Sequence, residues 1–358
     1  MPFRSPTAVL AMLASLAAPA AAGDVLPIID MHLHARPADY IGADPPPMCA
    51  PFSAMPRWDN AKADEEGLAF ATMPPCAEPI PPARTDEAVM RGTLEVMRRR
   101  NIIGMVSGEP ALMKTWKAAA PERIIAGLDL RVGGNAAQPH VEARTPADVR
   151  RLHAAGAFEV LGEVMAQYEG LRPDDPKLEP YWALAEELEI PVGIHLGGGG
   201  PGEPYFGNAT FRVRNGSPLL LEDVLVRHPR LRVYIMHAAY PLLEELRALL
   251  FTHPQVYVDV SMVIYAEPRA AFYRFLQALV EAGYGDRVMF GSDQMIWPGV
   301  IEPSIAVIED APFLSTAQKR AILYDNAARF LRLTPAQIEA HHRMGRSDDG
   351  AGDAVPPG

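Results

Sequence analysis

His32 and His34 close an apolar run, Ile28-Ile29-Asp30-Met31-His32-Leu33-His34, at a spacing of i, i+2. Side chains of a strand alternate between its faces, so both imidazoles leave the strand end in the same direction. Two neutral imidazoles converging on one point begin a transition-metal site. Taken alone, the pair is equally well read as surface or hydrogen-bonded histidines after a strand, so the rest of the chain has to decide. It offers Glu163, His195, His237 and Asp293, each at or just after the end of a later apolar run. Imidazoles and carboxylates together suit zinc or a similar divalent ion, and carboxylates can also move protons. Any one of these residues has an ordinary explanation, as a core histidine or a carboxylate paired with an arginine. Six at equivalent strand ends point to one metal site.

The elements that must position them follow from the apolar pattern. Strands are expected at 25–31, 102–106, 123–130, 158–165, 191–195, 232–236, 256–260 and 288–290. Helical segments fall between them, at 85–100, 112–120, 145–154, 176–189, 217–227, 242–250 and 269–282. A long helix over 316–333 and a short one from Thr334-Pro335 close the chain. Short, continuous, β-branched runs suit strands buried on both faces. Eight such units predict an α/β fold, a (β/α)8 TIM barrel, with a doubly wound open sheet as the alternative. In such a barrel the strand C-termini share one active site. Within strand four, alternation is expected to turn Leu161 and Glu163 inward and Val164 outward.

The chain has 358 residues and a net charge of −11, which argues against nucleic acid and anionic membranes as partners. A small-molecule substrate is expected, without stable membrane insertion, and a homo-oligomer stays open. Residues 1–22 read as a secretory signal: Arg4, an apolar stretch over 8–18, and Ala20-Ala21-Ala22 as cleavage site. Export to a bacterial periplasm is therefore expected, with 23–342 forming one barrel domain. The Pro-rich stretch 36–84 reads as a long insertion after strand one, and 343–358 as a disordered tail. Both cysteines, Cys49 and Cys76, lie in that insertion. In an exported protein they can close a disulfide; otherwise they are two free thiols.

Over 28–331 the sequence resembles the amidohydrolase superfamily, in its amidohydrolase-related (amidohydrolase-2) branch. The resemblance rests on Asp30-Met31-His32-Leu33-His34, Gly193-Ile194-His195, Ile235-Met236-His237-Ala238, Val256-Tyr257-Val258-Asp259-Val260-Ser261, Phe290-Gly291-Ser292-Asp293 and Asn326-Ala327-Ala328-Arg329-Phe330. It implies a metal-dependent barrel in which His32, His34, His195 and Asp293 hold a primary metal. His237 would bind a second metal or stand just outside the first. Two-metal relatives take a bridging carboxylate or modified lysine from strand four, where this chain has Glu163; single-metal relatives need none. One or two divalent ions are expected, with zinc the first choice.

A divalent ion lowers the pKa of its water from about 15.7 towards 7, so hydrolysis of an amide, ester or lactone is the expected reaction. Asp293 and His237 are the residues expected to take part in it, Asp293 by moving the proton. A metal-dependent decarboxylase of the same branch and a metal-free binding protein on the same barrel are the alternatives. Arg212 and Arg214 are candidates to bind a substrate carboxylate, or are solvated loop charges. Tyr168 and Trp297 follow strand ends and either line the pocket or pack under loops. Gly197, Gly199 and Gly202 match a dinucleotide spacing, but Pro201 and Pro204 occupy the place of the required helix.

Overall fold

The computed structural model describes residues 24–55, 57–61, 76–132, 140–206 and 208–346, so the expected leader and everything beyond 346 lie outside the described residues. Eight strands appear where the apolar runs predict them: β1 Ile28–Ala35, β2 Ile102–Gly108, β3 Ile124–Leu130, β4 Val160–Val164, β5 Val192–His195, β6 Val233–Met236, β7 Tyr257–Asp259 and β8 Val288–Met289. Each runs parallel to the next, in the order β1 to β8, with helices in between. This is a nearly closed (β/α)8 barrel. The seam between β8 and β1 is closed by single backbone bonds just past the end of β8. Met31 donates to Phe290, Asp293 to the carbonyl of His32, and His34 to that of Gln294, at 2.9, 2.7 and 2.9 Å.

Two apolar layers hold the barrel. One packs the outer strand faces against the helices. The other fills the lumen with Ile29, Met31, Ile103, Met105, Val160, Tyr234, Met236 and Met289, and Tyr324, Ala327, Ala328 and Phe330 of the C-terminal helical segment pack against it. In β1 the lumen claims Ile29 and Met31, and strict alternation would then send His32 and His34 outward. A bulge prevents this. Asp30 pairs with Gly104 and Leu33 with Val106, so three steps of β1 lie opposite two of β2.

The same device corrects one expectation. β4 carries an extra residue against both neighbours, between Leu161 and Val164. Leu161 therefore packs with Val164 in the helix-facing layer, and Val160 takes the lumen. Leu161 and Glu163 do not share a face, because the bulge rephases the strand before Glu163. Glu163 still reaches the site.

The closing helical stretch runs from Thr316 to Phe330 with one widened turn, Ala321–Asp325. There Ile322 O accepts the N–H of Phe290, and Asn326 Nδ2 donates to Gly285 O and Val288 O. A helix at Ile301–Glu309 has no counterpart in the expected elements. Its one proline, Pro303, sits in the first turn, where backbone N–H groups have no helical partner to lose.

Between β1 and the helix Asp86–Arg99, the described residues form no strand or helix beyond the bridge of Met48 to Ile80. Cys49 and Cys76 form a disulfide with Cα atoms 5.7 Å apart. No described helix is long and apolar enough to cross a membrane.

Lumen packing makes Gly193 indispensable in β5. A Cβ there would stand 2.5 Å from the Tyr234 ring, whose hydroxyl donates to Met31 O. Gly193→Ala should therefore cost about 1–3 kcal/mol through overpacking, measured by denaturant unfolding. An unchanged midpoint would show that the lumen has room.

Candidate metal centre

All six expected ligands meet at the C-terminal end of the barrel, and none is more than 8% exposed. His32 Nε2 and His34 Nε2 face each other at 3.1 Å, and Asp293 Oδ1 lies 3.6 Å from the first and 3.2 Å from the second. Across the lumen, His195 Nδ1 lies 3.0 Å from His237 Nε2. Glu163 stands between the pairs. Its Oε1 is 2.8 Å from His195 Nδ1 and 3.8 Å from His237 Nε2; its Oε2 is 3.6 Å from His34 Nε2 and 3.9 Å from His32 Nε2. Among the described residues, three groups of donor atoms lie close enough to share an ion: His32, His237 and Asp293; His32, His34 and Glu163; Glu163, His195 and His237. His195 thus groups with Glu163 and His237, while the expected primary set grouped it with His32, His34 and Asp293.

Three buried aspartates hold the backbone beneath these ligands. Asp30 Oδ1 accepts the N–H groups of His32 and Ser292, both at 3.0 Å. Asp129 Oδ1 accepts from Glu163 N at 3.1 Å, and Asp129 Oδ2 pairs with the Arg36 guanidinium. Asp259 Oδ1 accepts from His237 N and Ser261 N, both at 3.0 Å. The imidazoles are also oriented from behind, His34 Nδ1 at 2.9 Å from Ser107 Oγ and His32 Nδ1 at 2.7 Å from Ser261 Oγ. None of these supporting residues was assigned from the sequence. The available signal was position: Asp129 and Asp259 sit near the ends of their apolar runs, as the ligands do.

The chain around the site is strained. His237, Ala238, Ala239 and Asp293 all take φ between 48° and 57°, a region that costs non-glycine residues of order 1–3 kcal/mol each. The bonds of His237 N to Asp259 and of Asp293 N to His32 O hold two of them there. Gly291 allows the close fit, since a Cβ on it would meet His32 Cβ and Ser261 Cβ at 3.0 Å.

Burial alone would push the Glu163 carboxyl up, but the imidazoles around it, His195 at hydrogen-bond distance and His237 and His32 further off, outweigh it and hold it well below the usual range. Asp293 falls too: burial opposes, and the charge of His32 with the hydrogen bond to His34 prevails. Burial and the Arg36 guanidinium lower His34; burial and His237 lower His195. For His32 and His237 burial is outweighed, chiefly by Asp293 and Glu163 respectively, and both rise. Imidazole nitrogens facing one another at 3.0–3.1 Å need a proton or a cation between them. Among ionised carboxylates, a divalent ion meets that need, so the donor set fits the metal its chemistry implies.

The loop after β1 is tied to later loops: Phe52 N donates to Ala266 O, and the indole of Trp297 donates to Pro46 O at 3.0 Å. Trp297 therefore packs under the loop after β1. Trp58 from that loop meets the ring of Tyr205, in the loop after β5, at a tilt of 43° with centroids 5.6 Å apart. The Tyr168 ring lies 4.6 Å from that of His195, so it borders the site. Arg212 and Arg214 are exposed, and the Arg212 guanidinium donates to Ala209 O and Phe211 O. The buried guanidinium beside the ligands is Arg36, stacked 4.6 Å over the Tyr40 ring.

The chain belongs to the amidohydrolase family, whose model matches residues 29–333. The family is metal-dependent, in keeping with the three donor groups. No curated protein matches in sequence. Among solved structures, an uncharacterized TIM-barrel protein from Bordetella bronchiseptica is similar at TM-score 0.56 and 20% identity, covering 88% of this chain and 100% of that one. 4-Oxalomesaconate hydratase from Rhodopseudomonas palustris is similar at 0.53 and 16%, over 88% and 99%. 5-Carboxyvanillate decarboxylase from Sphingomonas paucimobilis is similar at 0.52 and 16%, over 86% and 100%. At these identities the likeness concerns the fold.

Asp129 supports both Glu163 and Arg36, so its loss should be felt as stability. Asp129→Ala would strand a buried guanidinium and should cost about 3–5 kcal/mol in urea unfolding. A loss below about 1 kcal/mol would mean that Arg36 finds another partner.

Proposed function

We propose that this protein is a metal-dependent hydrolase of a carboxylic amide, ester or lactone, and that Glu163 spans two metal positions. The supporting observation is the disposition of Glu163, one oxygen towards His195 and His237, the other towards His32 and His34. His32, His34 and Asp293 would complete one position, His195 and His237 the other, with zinc the first choice of ion. In two-metal hydrolases such cations lie about 3.5–4 Å apart. When bound, they supply Lewis acidity towards a carbonyl oxygen and acidify a water.

The chain's own residues do the rest. Asp293, held ionised against His32 and His34, accepts the proton of the attacking water at its carboxylate and returns it to the leaving group. The six side chains are themselves buried, so the reaction proceeds away from bulk water. The substrate is a small molecule. The disulfide supports export to an oxidising compartment, with the periplasm as the proposed location.

A decarboxylase is the second reading. It draws on the solved 5-carboxyvanillate decarboxylase and on Arg36, a buried guanidinium next to His34 suited to a carboxylate-bearing substrate.

Metal counting separates one position from two. Purified wild type should hold close to two zinc equivalents and Glu163→Gln close to one; a wild type that stays at one under saturating zinc would overturn the two-metal version and leave a single-metal hydrolase or decarboxylase in its place. Asp293→Asn should lower turnover by roughly 10²–10⁴-fold while retaining part of the metal. Turnover would be read on the best substrate from a screen of amides, lactones and aromatic carboxylates. Near-normal turnover in that variant would remove Asp293 from proton transfer.

A further inference from the structure

Ser261 is in contact with both halves of the metal centre. Its Oγ lies 2.7 Å from His32 Nδ1, 3.1 Å from His237 Nδ1 and 2.6 Å from Asp259 Oδ1. Ser261 and Asp259 are both fully buried. A serine hydroxyl carries one proton and two acceptor lone pairs, so three neighbours can be served in only a few ways.

Asp259 Oδ1 already accepts the N–H groups of His237 and Ser261, each at 3.0 Å. An oxygen that takes two backbone donors is an acceptor towards its third neighbour as well. The one proton of Ser261 therefore goes to Asp259, and only lone pairs remain for the two imidazoles. Each histidine must then donate from Nδ1. For His237 a second contact agrees, since its Nδ1 also lies 3.2 Å from the Ser261 carbonyl oxygen, which can only accept. A neutral imidazole protonated on Nδ1 keeps its free lone pair on Nε2. Those are the nitrogens turned to the centre, His32 Nε2 towards His34 and His237 Nε2 towards His195.

We propose that Ser261, oriented by Asp259, is a positioning residue that sets the tautomers of His32 and His237 together, so that one hydroxyl readies a donor nitrogen in each half of the metal centre. The proposal rests on the metal-binding reading of the site and adds to it a residue outside the ligand set. It also separates Ser261 from Ser107, which touches the Nδ1 of His34 alone.

The test uses the full chain with ring-15N histidine, loaded with zinc, together with zinc titrations of wild type, Ser261→Ala, Ser261→Thr and Ser107→Ala. In the wild type, the rings of His32 and His237 should both carry their proton on Nδ1, as slowly exchanging resonances. Ser261→Ala should shift or lose both together, leave His34 unchanged, and weaken zinc binding about 10–100-fold. Ser261→Thr, which keeps the hydroxyl, should restore affinity, and Ser107→Ala should perturb His34 only. Wild-type zinc affinity and unchanged proton resonances in Ser261→Ala would overturn the role of Ser261 while leaving the metal centre standing. If Ser261→Ala does not fold, the wild-type spectrum decides, because a proton on Nε2 of either ring would overturn the proposal. A wild type that binds no zinc would overturn the metal centre itself and the proposal with it.

Discussion

The architecture of the site depends on hydrogen bonds from ligand-bearing backbone to buried carboxylates. Asp30, Asp129 and Asp259 are fully buried, and each takes the N–H of a residue whose side chain faces the centre: His32, Glu163 and His237. A hydrogen bond contributes about 0.5–1.5 kcal/mol, rising to about 1.5–3 where the acceptor is charged, and leaving a buried acceptor unpaired costs about 1–3 kcal/mol. Two of these contacts fall where ladder pairing is interrupted by a bulge, in β1 and in β4. The third falls where the chain leaves β6 in a left-handed turn. Side-chain carboxyl groups thus take over from the ladder where its pairing is interrupted, and hold the backbone that carries His32, Glu163 and His237.

The bulges also settle a competition for space. The lumen needs Ile29, Met31 and Val160 to be filled, and the site above needs His32, His34 and Glu163 to face the same way. A regular strand cannot do both with this sequence, because its side-chain period is two. One extra residue in each of β1 and β4 satisfies packing below and chemistry above. The seam between β8 and β1 completes the arrangement, since the bond from Asp293 N to His32 O that closes the barrel also sets Asp293 beside its histidines.

Much of this was readable from residue types. The eight apolar runs, their parallel order and the convergence of His32, His34, Glu163, His195, His237 and Asp293 follow from period and position along the chain. The orientation of Leu161 was not readable, because a bulge is set by neighbouring strands and leaves no periodic trace in its own. Asp129 and Asp259 have no role legible in the sequence, because a strand-end aspartate looks the same whether it binds an ion or a backbone amide. Arg36 was overlooked in favour of Arg212 and Arg214, since sequence cannot tell a guanidinium buried against Asp129 from one in solvent. The helix Ile301–Glu309 has no counterpart among the expected elements, although its one proline lies in the first turn, where a helix tolerates it.

Membership of the amidohydrolase family gives a metal-dependent barrel, and the geometry adds three groups of buried donors that could hold an ion. What remains to be tested is whether the six side chains form one metal centre with Glu163 in its middle. Anomalous diffraction at the zinc edge, on crystals of zinc-loaded protein, tests this most directly. The account predicts two anomalous peaks flanking the Glu163 carboxylate, one towards His32, His34 and Asp293, the other towards His195 and His237. No peak within bonding distance of these residues, or zinc held only at surface histidines, would contradict it.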